Sequence, residues 1–367
     1  MSALPDPDFI ARDPQQVTAD LIAGWEAMTG KVLYPAQVER LLIDLAAYRE
    51  TLVRIGIQEA AKLNLVAFSR YPILDYLGEL VGTYRLLGSP AATVLRFALA
   101  TPATTAVLIP GGTRARGAGQ EFATDADATI AVGQVEVDVQ ATASVIGPAA
   151  NGVDAGGVTS LIDLPGLGLT VTNLAVSSGG LPTEDDERLR ARIRLAPEHF
   201  AIAGPTLAYR WQVMSVRGDV ADVGITSPAP GRVNVYPLLD TGLPDAPLLD
   251  AVRLRLGAEK VRPLTDWVTV LPPTRVPYAV TVGIAGLQGA SESAVVAAVQ
   301  ASLTAFAAKL RAALGHDLVP SQWSERAQRI GGVYSVTVTL PAARVLLPNE
   351  WADCTGITVT WNGFGDD

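Results

Sequence analysis

The residue types best suited to metal binding or nucleophilic catalysis are scarce in this sequence. It contains two histidines, His199 and His316, and one cysteine, Cys354. No H-x-H, H-E-x-x-H or C-x-x-C pair brings such residues together, and no G-x-S-x-G elbow occurs. Acidic residues beside Cys354 should raise the pKa of its thiol, which favours a packing role. The sequence therefore predicts no transition-metal site, and a single cysteine excludes a disulfide framework.

A glycine-rich stretch, residues 111–119, superficially resembles a phosphate-binding loop. It lacks the G-K-[ST] ending of a P-loop, and no helical pattern follows it, so we expect a turn or loop. Asp125 and Asp127 are too few to hold calcium, which takes about six to eight oxygen ligands. The carboxylates at 184–187 begin a predicted helix, and with 6% aromatic residues the chain gives little support for a sugar-binding cleft. We predict no catalytic, cofactor-binding or metal-binding residue.

Composition narrows the class of protein further. Of the 367 residues, 49% are hydrophobic and 18% are charged, and the mean hydropathy is +0.27. No uninterrupted apolar stretch of about 18 residues predicts a membrane span, and residues 1–12 do not have the pattern of a signal peptide. The net charge of −9 argues against binding driven by nucleic-acid phosphates. We expect a folded, cytoplasm-made protein that has apolar surface to bury.

The first region, to about residue 88, has a helical pattern. A long helix is predicted over residues 36–69 and a shorter one over 72–81. In the long helix, the apolar residues with alternating spacings of three and four are Val38, Leu41, Leu45, Tyr48, Leu52 and Ile55. A second stripe consists of Leu42, Ala46, Val53 and Ile57. A helix that is apolar on two sides is expected inside a bundle or between two partners.

The pattern changes to short alternating strands between about residues 92 and 180, which predicts a small all-β module. A charged helix then follows over residues 184–194, with acidic residues first and arginines after, as the helix dipole favours. Thr183 is expected to be its N-cap, with Asp186 in the capping-box position. Pro197 should end it.

Beyond residue 205 the chain alternates between helices and strands. Helices are predicted over 206–216, 248–260, 291–314 and 321–330, and strands over 220–226, 233–239, 268–271, 276–284, 333–340 and 343–347. Hairpins are expected more than a parallel sheet. The spacing of valines after Trp211 recurs after Trp323, which suggests two similar units of one helix and one hairpin.

These patterns predict a multidomain α+β fold with an N-terminal helical region, an inserted all-β module and a C-terminal α+β region containing helix-plus-hairpin units. The expected divisions are a helical, bundle-forming region at 1–90, the all-β insert at 91–180, an α+β domain at 181–272 and a C-terminal α+β domain at 273–367.

Several segments together resemble the baseplate J-like family. In the N-terminal region they are Ala47-Tyr48-Arg49-Glu50, Arg54, Leu74-Asp75-x-Leu77-Gly78 and Arg85. Further on they are Gly179-Gly180, the T-E-x-D-E-x-L-R-x-R-I run from Thr183, Ala203-Gly204-Pro205 and the V-R-P-L-T-D run from Val261. The strand-rich module resembles the β domain inserted in many members. One departure is Arg70-Tyr71-Pro72, where the family pattern has a turn of small residues.

The resemblance implies a structural baseplate wedge protein of contractile-tailed phages, R-type tailocins or related injection systems, without enzymatic activity or cofactors. It implies assembly in the host bacterial cytoplasm and a place in the wedge or ring around the tail hub, which rearranges when the sheath contracts. The implied partners are other copies, other wedge proteins through a shared helical bundle, and hub or sheath-proximal proteins. Neither nucleic acid nor membrane insertion is expected.

The candidate interface residues come from two helices. The apolar stripe Leu41, Leu45, Tyr48, Leu52 and Ile55 is expected to pack in a helical bundle between subunits. The charged helix, through Arg188, Arg190, Arg192 and Arg194, or the adjoining Arg210–Arg217 segment is expected to make polar contacts between neighbouring copies. The alternatives are a stripe that packs only inside its own domain, and a solvated helix with its own ion pairs, such as Glu184 with Arg188.

Two other functions remain open. The β module could make the protein a tail-associated receptor- or glycan-binding module, although a fibre protein should show trimeric repeats or long β stretches. A cell-wall-degrading tail enzyme should show clustered acid and base residues, and the sequence supplies none.

Overall fold

The computed structural model describes residues 5–164, 168–200, 206–258, 261, 265–339 and 343–365, which contain eight α-helices and fourteen strands. Contacts divide the chain into two compact units. One combines the residues up to 85 with residues 185–194, and the other comprises 86–184 and the residues from 195 onward. The α+β class, with N-terminal helices, a strand-rich insert and a C-terminal α+β region, is confirmed.

The N-terminal unit is built from four helices: α1 (Pro14–Thr29), α2 (Val38–Leu63), α3 (Ile73–Glu79) and α4 (Asp186–Leu195). Asp13 caps α1, and Gly30 ends it with a φ of 68°, a left-handed conformation that glycine adopts without strain. Helix α2 has 26 residues, so it spans about 39 Å. The predicted range of 36–69 is too long because the chain tightens into turns after Leu63, where the Leu65 amide donates to Lys62 O at 2.9 Å.

Helix α4 also begins later than predicted. Asp185, not Thr183, is the capping residue, because its Oδ1 accepts the backbone N–H of Arg188 at 2.8 Å. The Thr183 hydroxyl instead accepts the Gly88 amide at 3.2 Å. The Glu184 carboxylate accepts the Leu86 amide at 2.9 Å, and its ion pair with Arg188 stays a prediction.

The strand-rich insert is a nearly closed, barrel-like sheet. Its strands are β1 (Pro90–Leu99), β2 (Val107–Ile109), β3 (Arg114–Gly117), β4 (Gln120–Thr124), β5 (Ala128–Ile130), β6 (Glu136–Ile146), β7 (Val158–Leu161) and β8 (Leu169–Asn173). Six of them form the sheet β7-β3-β4-β6-β1-β8, and β2 pairs with β5. The glycine-rich stretch is therefore a strand between two turns rather than one loop. Gly117 is required there, since a Cβ would lie 2.1 Å from Gly157 O.

The central region carries α5 (Thr206–Met214), β9 (Val220–Ala229), β10 (Arg232–Leu239), α6 (Ala246–Gly257) and β11 (Trp267–Val270). Its sheet has the order β11-β10-β9. Strands β9 and β10 form the predicted antiparallel hairpin, but β10 and β11 are parallel. The expectation of hairpins is thus right for one pair and wrong for the other.

The C-terminal region carries β12 (Thr274–Gly286), α7 (Glu292–Arg311), α8 (Pro320–Gln328), β13 (Val333–Thr339) and β14 (Glu350–Phe364). The predicted strand at 343–347 is wrong for its described residues, which form only an isolated bridge between Arg344 and Leu318. The fifteen-residue strand β14 was not predicted, and it pairs in parallel with β12. The second half of the proposed repeat therefore lacks its hairpin.

Helix α7 is the one described helix long and apolar enough to cross a membrane by length and composition. Its apolar residues nevertheless have partners inside the protein. Val299, Leu303 and Phe306 pack in the C-terminal core, where Phe306 makes an edge contact with the fully buried Trp323 at 4.8 Å between ring centroids. Core packing therefore explains why this helix is apolar.

Candidate functional site

The most unusual surface of the N-terminal unit is the α2 face, a set of large apolar side chains that its own unit leaves uncovered. Each is between 43% and 70% exposed. The α2 face consists of Val38, Leu41, Leu42, Leu45, Tyr48, Leu52, Val53, Ile55 and Ile57. Such a contiguous apolar surface marks an interaction site on a folded protein.

Helix α2 is held in its own unit by small and polar residues instead. Its buried residues are Ala47, Thr51 and Gln58. Gln58 accepts the Phe9 amide at 2.9 Å and donates to Pro7 O at 2.6 Å, and Arg54 donates to Ala11 O at 3.0 Å. The residues before α1 thus cover the polar side of α2, while the large apolar side chains point away from it.

The α2 face has the spacing of a coiled-coil seam over part of its width. Val38, Leu45 and Leu52 are seven residues apart, and Leu41, Tyr48 and Ile55 repeat the interval three residues later, which are the a and d positions of a heptad. At about 3.6 residues per turn, the whole face covers roughly 200° of the helix circumference. An amphipathic helix needs an apolar stripe of only about 100° to pack on one side. The α2 face is therefore wide enough for two neighbouring helices.

The arginines of α4 have two different environments. Arg190 and Arg192 are 7% and 4% exposed. Arg190 donates to Val66 O at 2.8 Å and to Ser69 O at 2.6 Å, and Arg192 donates to Tyr84 O at 3.1 Å. These two residues bind backbone carbonyls inside the N-terminal unit, and their role between copies stays a prediction. Arg188 is half-buried and Arg194 is exposed, so for them the interface role stays a prediction.

A polar cluster ties α4 to the α3 segment of the same unit. Asp75, Arg85, Asp186 and Arg190 are called the clasp below. Arg85 donates to both carboxylate oxygens of Asp75, at 2.9 and 2.7 Å, and to Asp186 Oδ1 at 2.7 Å. The other oxygen of Asp186 accepts the Tyr71 amide at 3.1 Å. The Arg85 side chain is 12% exposed, so water screens these pairs only in part.

The charges of the clasp perturb one another. The hydrogen bond that Arg85 donates to Asp75 is the main cause that raises the pKa of Arg85. Burial raises the pKa of Asp186, but the hydrogen bonds from Arg85 and the Tyr71 amide and the charges of Arg85 and Arg190 outweigh it, so the net pKa of Asp186 is lowered. Arg85 and Asp186 are therefore both charged at neutral pH.

Acid should weaken the clasp. A carboxylate whose pKa is lowered by folding stabilises the folded state above its unfolded pKa of about 3.9, and loses that contribution as the pH falls through the folded value. We expect the N-terminal helices to melt at a progressively lower temperature below about pH 4, and Asp186→Asn to reduce this dependence. Circular dichroism melts across the acid range measure it. Asp138→Asn, which breaks a similar pair with Arg96 in the β module, is the control; an unchanged pH dependence in Asp186→Asn would contradict the assignment.

The other chemistry-bearing residues are accounted for by local structure. Burial is the main cause that raises the pKa of the Cys354 thiol, with Asp353 a smaller contributor. Asp127 accepts the Gly111 amide at 2.6 Å, and Asp125 accepts the Thr142 hydroxyl at 2.9 Å. Within the described ranges, no group of three or more His, Cys, Asp or Glu residues could hold a metal ion. The side chain of His199 lies outside the described residues.

Four family models match the chain in order. They are the Baseplate J-like N-terminal domain over residues 38–92, the barrel domain over 94–180, the central domain over 201–272 and the C-terminal domain over 278–360. The protein belongs to the Baseplate J-like family. The resemblance inferred from the sequence motifs is confirmed.

Individual relatives agree with this assignment. The chain is 32% identical over 183 residues to baseplate protein J of Escherichia phage P2, an alignment that covers 49% of this chain and 60% of the P2 protein. A chain in the six-fold symmetrised cryo-EM structure of the anti-feeding prophage baseplate has a similar fold, with a TM-score of 0.50 and 14% identity. That match covers 92% of this chain and 90% of the other.

Proposed function

We propose that this protein is a structural wedge component of a contractile-tail baseplate and that the α2 face is the surface through which it assembles. The single observation that carries the proposal is the mismatch within α2. The residues that α2 buries in its own unit are small or polar, whereas its large apolar residues are exposed. Family membership, the P2 baseplate protein J and the anti-feeding prophage baseplate support the structural role.

The partner at the α2 face is one or two helices of other wedge proteins or of other copies. The heptad spacing fits a helix packed along the seam, and the remaining apolar arc, which includes Leu42, Val53 and Ile57, fits a second. Leu41, Leu45, Tyr48, Leu52 and Ile55 form the seam side, and Arg188 and Arg194 stay candidates for polar contacts between copies. Hub or sheath-proximal proteins would contact the remaining regions.

The wider proposal follows from the same role. The protein assembles with its partners in the host bacterial cytoplasm into a wedge or ring around the tail hub, which rearranges on sheath contraction. It carries out no enzymatic reaction and uses no cofactor, nucleic acid or membrane insertion. The division into a bundle-forming region at 1–90, a β insert at 91–180 and α+β domains at 181–272 and 273–367 is part of this proposal.

Locating the chain in purified particles by electron microscopy tests the function. We expect density for the chain in the baseplate close to the hub, with α2 packed against helices of other chains. Density for the chain at a fibre tip would refute the wedge role. A chain in the baseplate whose α2 face contacts no other helix would refute the bundle interface.

A further inference from the structure

The covalent connections of α4 set it apart from the other helices of the N-terminal unit. The chain leaves that unit between residues 85 and 86, returns between 184 and 185, and leaves again between 194 and 195. Both ends of α4 are therefore continuous with the larger unit. Helices α1, α2 and α3 hold α4 by non-covalent contacts alone, and their own chain continues into the larger unit only after Arg85.

The contacts that hold α4 are mainly directional and polar. Arg190 caps the carbonyls of Val66 and Ser69 in the turns after α2, and Asp186 binds Arg85 and the Tyr71 amide. A guanidinium at this position suits the carbonyl-rich end of a helix. Beside its own turn hydrogen bonds, the segment between α2 and α3 thus exchanges hydrogen bonds with a helix more than 110 residues further along the chain, Arg190 and Val66 being 124 positions apart.

The apolar contribution to this docking is small. The buried core shared by α3 and α4 consists of Leu74, Leu189 and Ile193, with Val66 and Val81 packed beside it. The cores of the β module, the central region and the C-terminal region are all larger. Helices α1 and α2 pack on each other, and their buried apolar residues, Val17 and Ala47, are not members of this core. Their contact therefore does not depend on α4.

We propose that α4 is a clip, fastened by the clasp, which can detach from residues 5–85 while α1 and α2 remain folded. In the detached state the segment that carries the α2 face keeps its covalent connection to the rest of the chain at residues 85–86. When α4 is docked, it fixes the turns at the C-terminal end of α2. When α4 is detached, these turns are free to change conformation. The clip rests on contacts inside the N-terminal unit and does not depend on the proposed baseplate role.

Hydrogen exchange of the full-length protein, followed by mass spectrometry, tests the clip. In the wild type, amides of α4 and of residues 66–71 should exchange together and faster than amides in the middle of α2. Arg85→Met should accelerate exchange in both segments about tenfold or more, because hydrogen bonds to charged groups hold the docked state. Exchange in the middle of α2 should change by less than about twofold, since α1 still covers it.

Three further variants make the result decisive. Asp186→Asn keeps the side-chain shape and should accelerate the same two segments, whereas Arg85→Lys keeps the charge and should have a smaller effect. Arg96→Met, which breaks a bidentate pair with Asp138 in the β module, should leave α4 unaffected. The clip is refuted if exchange in α4 is unchanged or if exchange in α2 accelerates by the same factor. It is also refuted if Arg85→Met and Asp186→Asn both unfold the whole N-terminal unit. A protein that behaves as a clip but is absent from baseplates would refute only the proposed function.

Discussion

Replacing Leu45 and Leu52 with aspartate should abolish association through α2 while the chain remains folded. Both side chains lie in the middle of the heptad seam and are 59% and 43% exposed, so their own unit does not need them. Burying a leucine side chain stabilises an interface by about 1.5–3 kcal/mol, and placing an unpaired carboxylate there adds a desolvation cost. For the double variant, association should weaken on the order of a thousandfold or more.

The measurement compares particle assembly in cells with native mass spectrometry of purified wedge complexes. Leu254→Asp is the matched control, because Leu254 is an exposed leucine on α6, 81% accessible and outside the N-terminal unit. Circular dichroism should show wild-type helix content in both variants. Normal particles containing the double variant would exclude the α2 face as the assembly surface.

The α2 stripe was readable from sequence because a heptad is a local pattern. Six apolar residues with the right intervals predict a seam wherever the helix lies. Its exposure was not readable, because that depends on which side the residues before α1 cover. Gln58 and Arg54 bind backbone groups of Pro7, Phe9 and Ala11, more than 40 positions away, and no periodicity in α2 signals those contacts.

The contacts of the clasp are even harder to predict from the sequence. Asp75, Arg85 and Asp186 all lie in segments that carry the family resemblance, but nothing in their spacing indicates that they touch. Arg85 and Asp186 are 101 positions apart, with the whole β module between them. The many charges of α4 therefore predict a helix on the protein surface, although Arg190 and Arg192 are buried. An arginine that caps distant carbonyls has the same local sequence as one that faces solvent.

Strand β14, in contrast, has a local sequence pattern that could have predicted it. Ile357, Val359 and Trp361 alternate with polar residues and pack against the C-terminal core, as a half-buried strand requires. The strand predicted in this region is instead the shorter apolar run at 343–347. There Leu346 is buried while Val345 and Leu347 are 79% and 60% exposed, so the described residues alternate but pair only in the isolated bridge between Arg344 and Leu318.

One buried carboxylate, that of Asp222, contacts both the central and the C-terminal region. Asp222, on β9, is 7% exposed. It pairs with Arg210 of α5 at 2.5 Å and accepts the Leu314 amide, in the turn after α7, at 2.7 Å. The two backbones also approach closely, since a Cβ on Gly224 would lie 2.1 Å from Pro348 O. These contacts explain how two regions with separate cores behave as parts of one compact unit.

Asp222→Ala should destabilise this unit by about 2–4 kcal/mol, because it leaves a partly buried amide and a partly buried guanidinium without their acceptor. It should also separate the melting of the central core from that of the C-terminal core, so that calorimetry should resolve two transitions in the variant and one in the wild type. Asp250→Ala is the control: it removes an exposed pair with Arg253, and such pairs contribute less than about 1 kcal/mol. Unchanged calorimetric transitions in Asp222→Ala would mean that backbone packing alone joins the two regions. A shift of both transitions with no separation would place the contribution of Asp222 inside the central core instead.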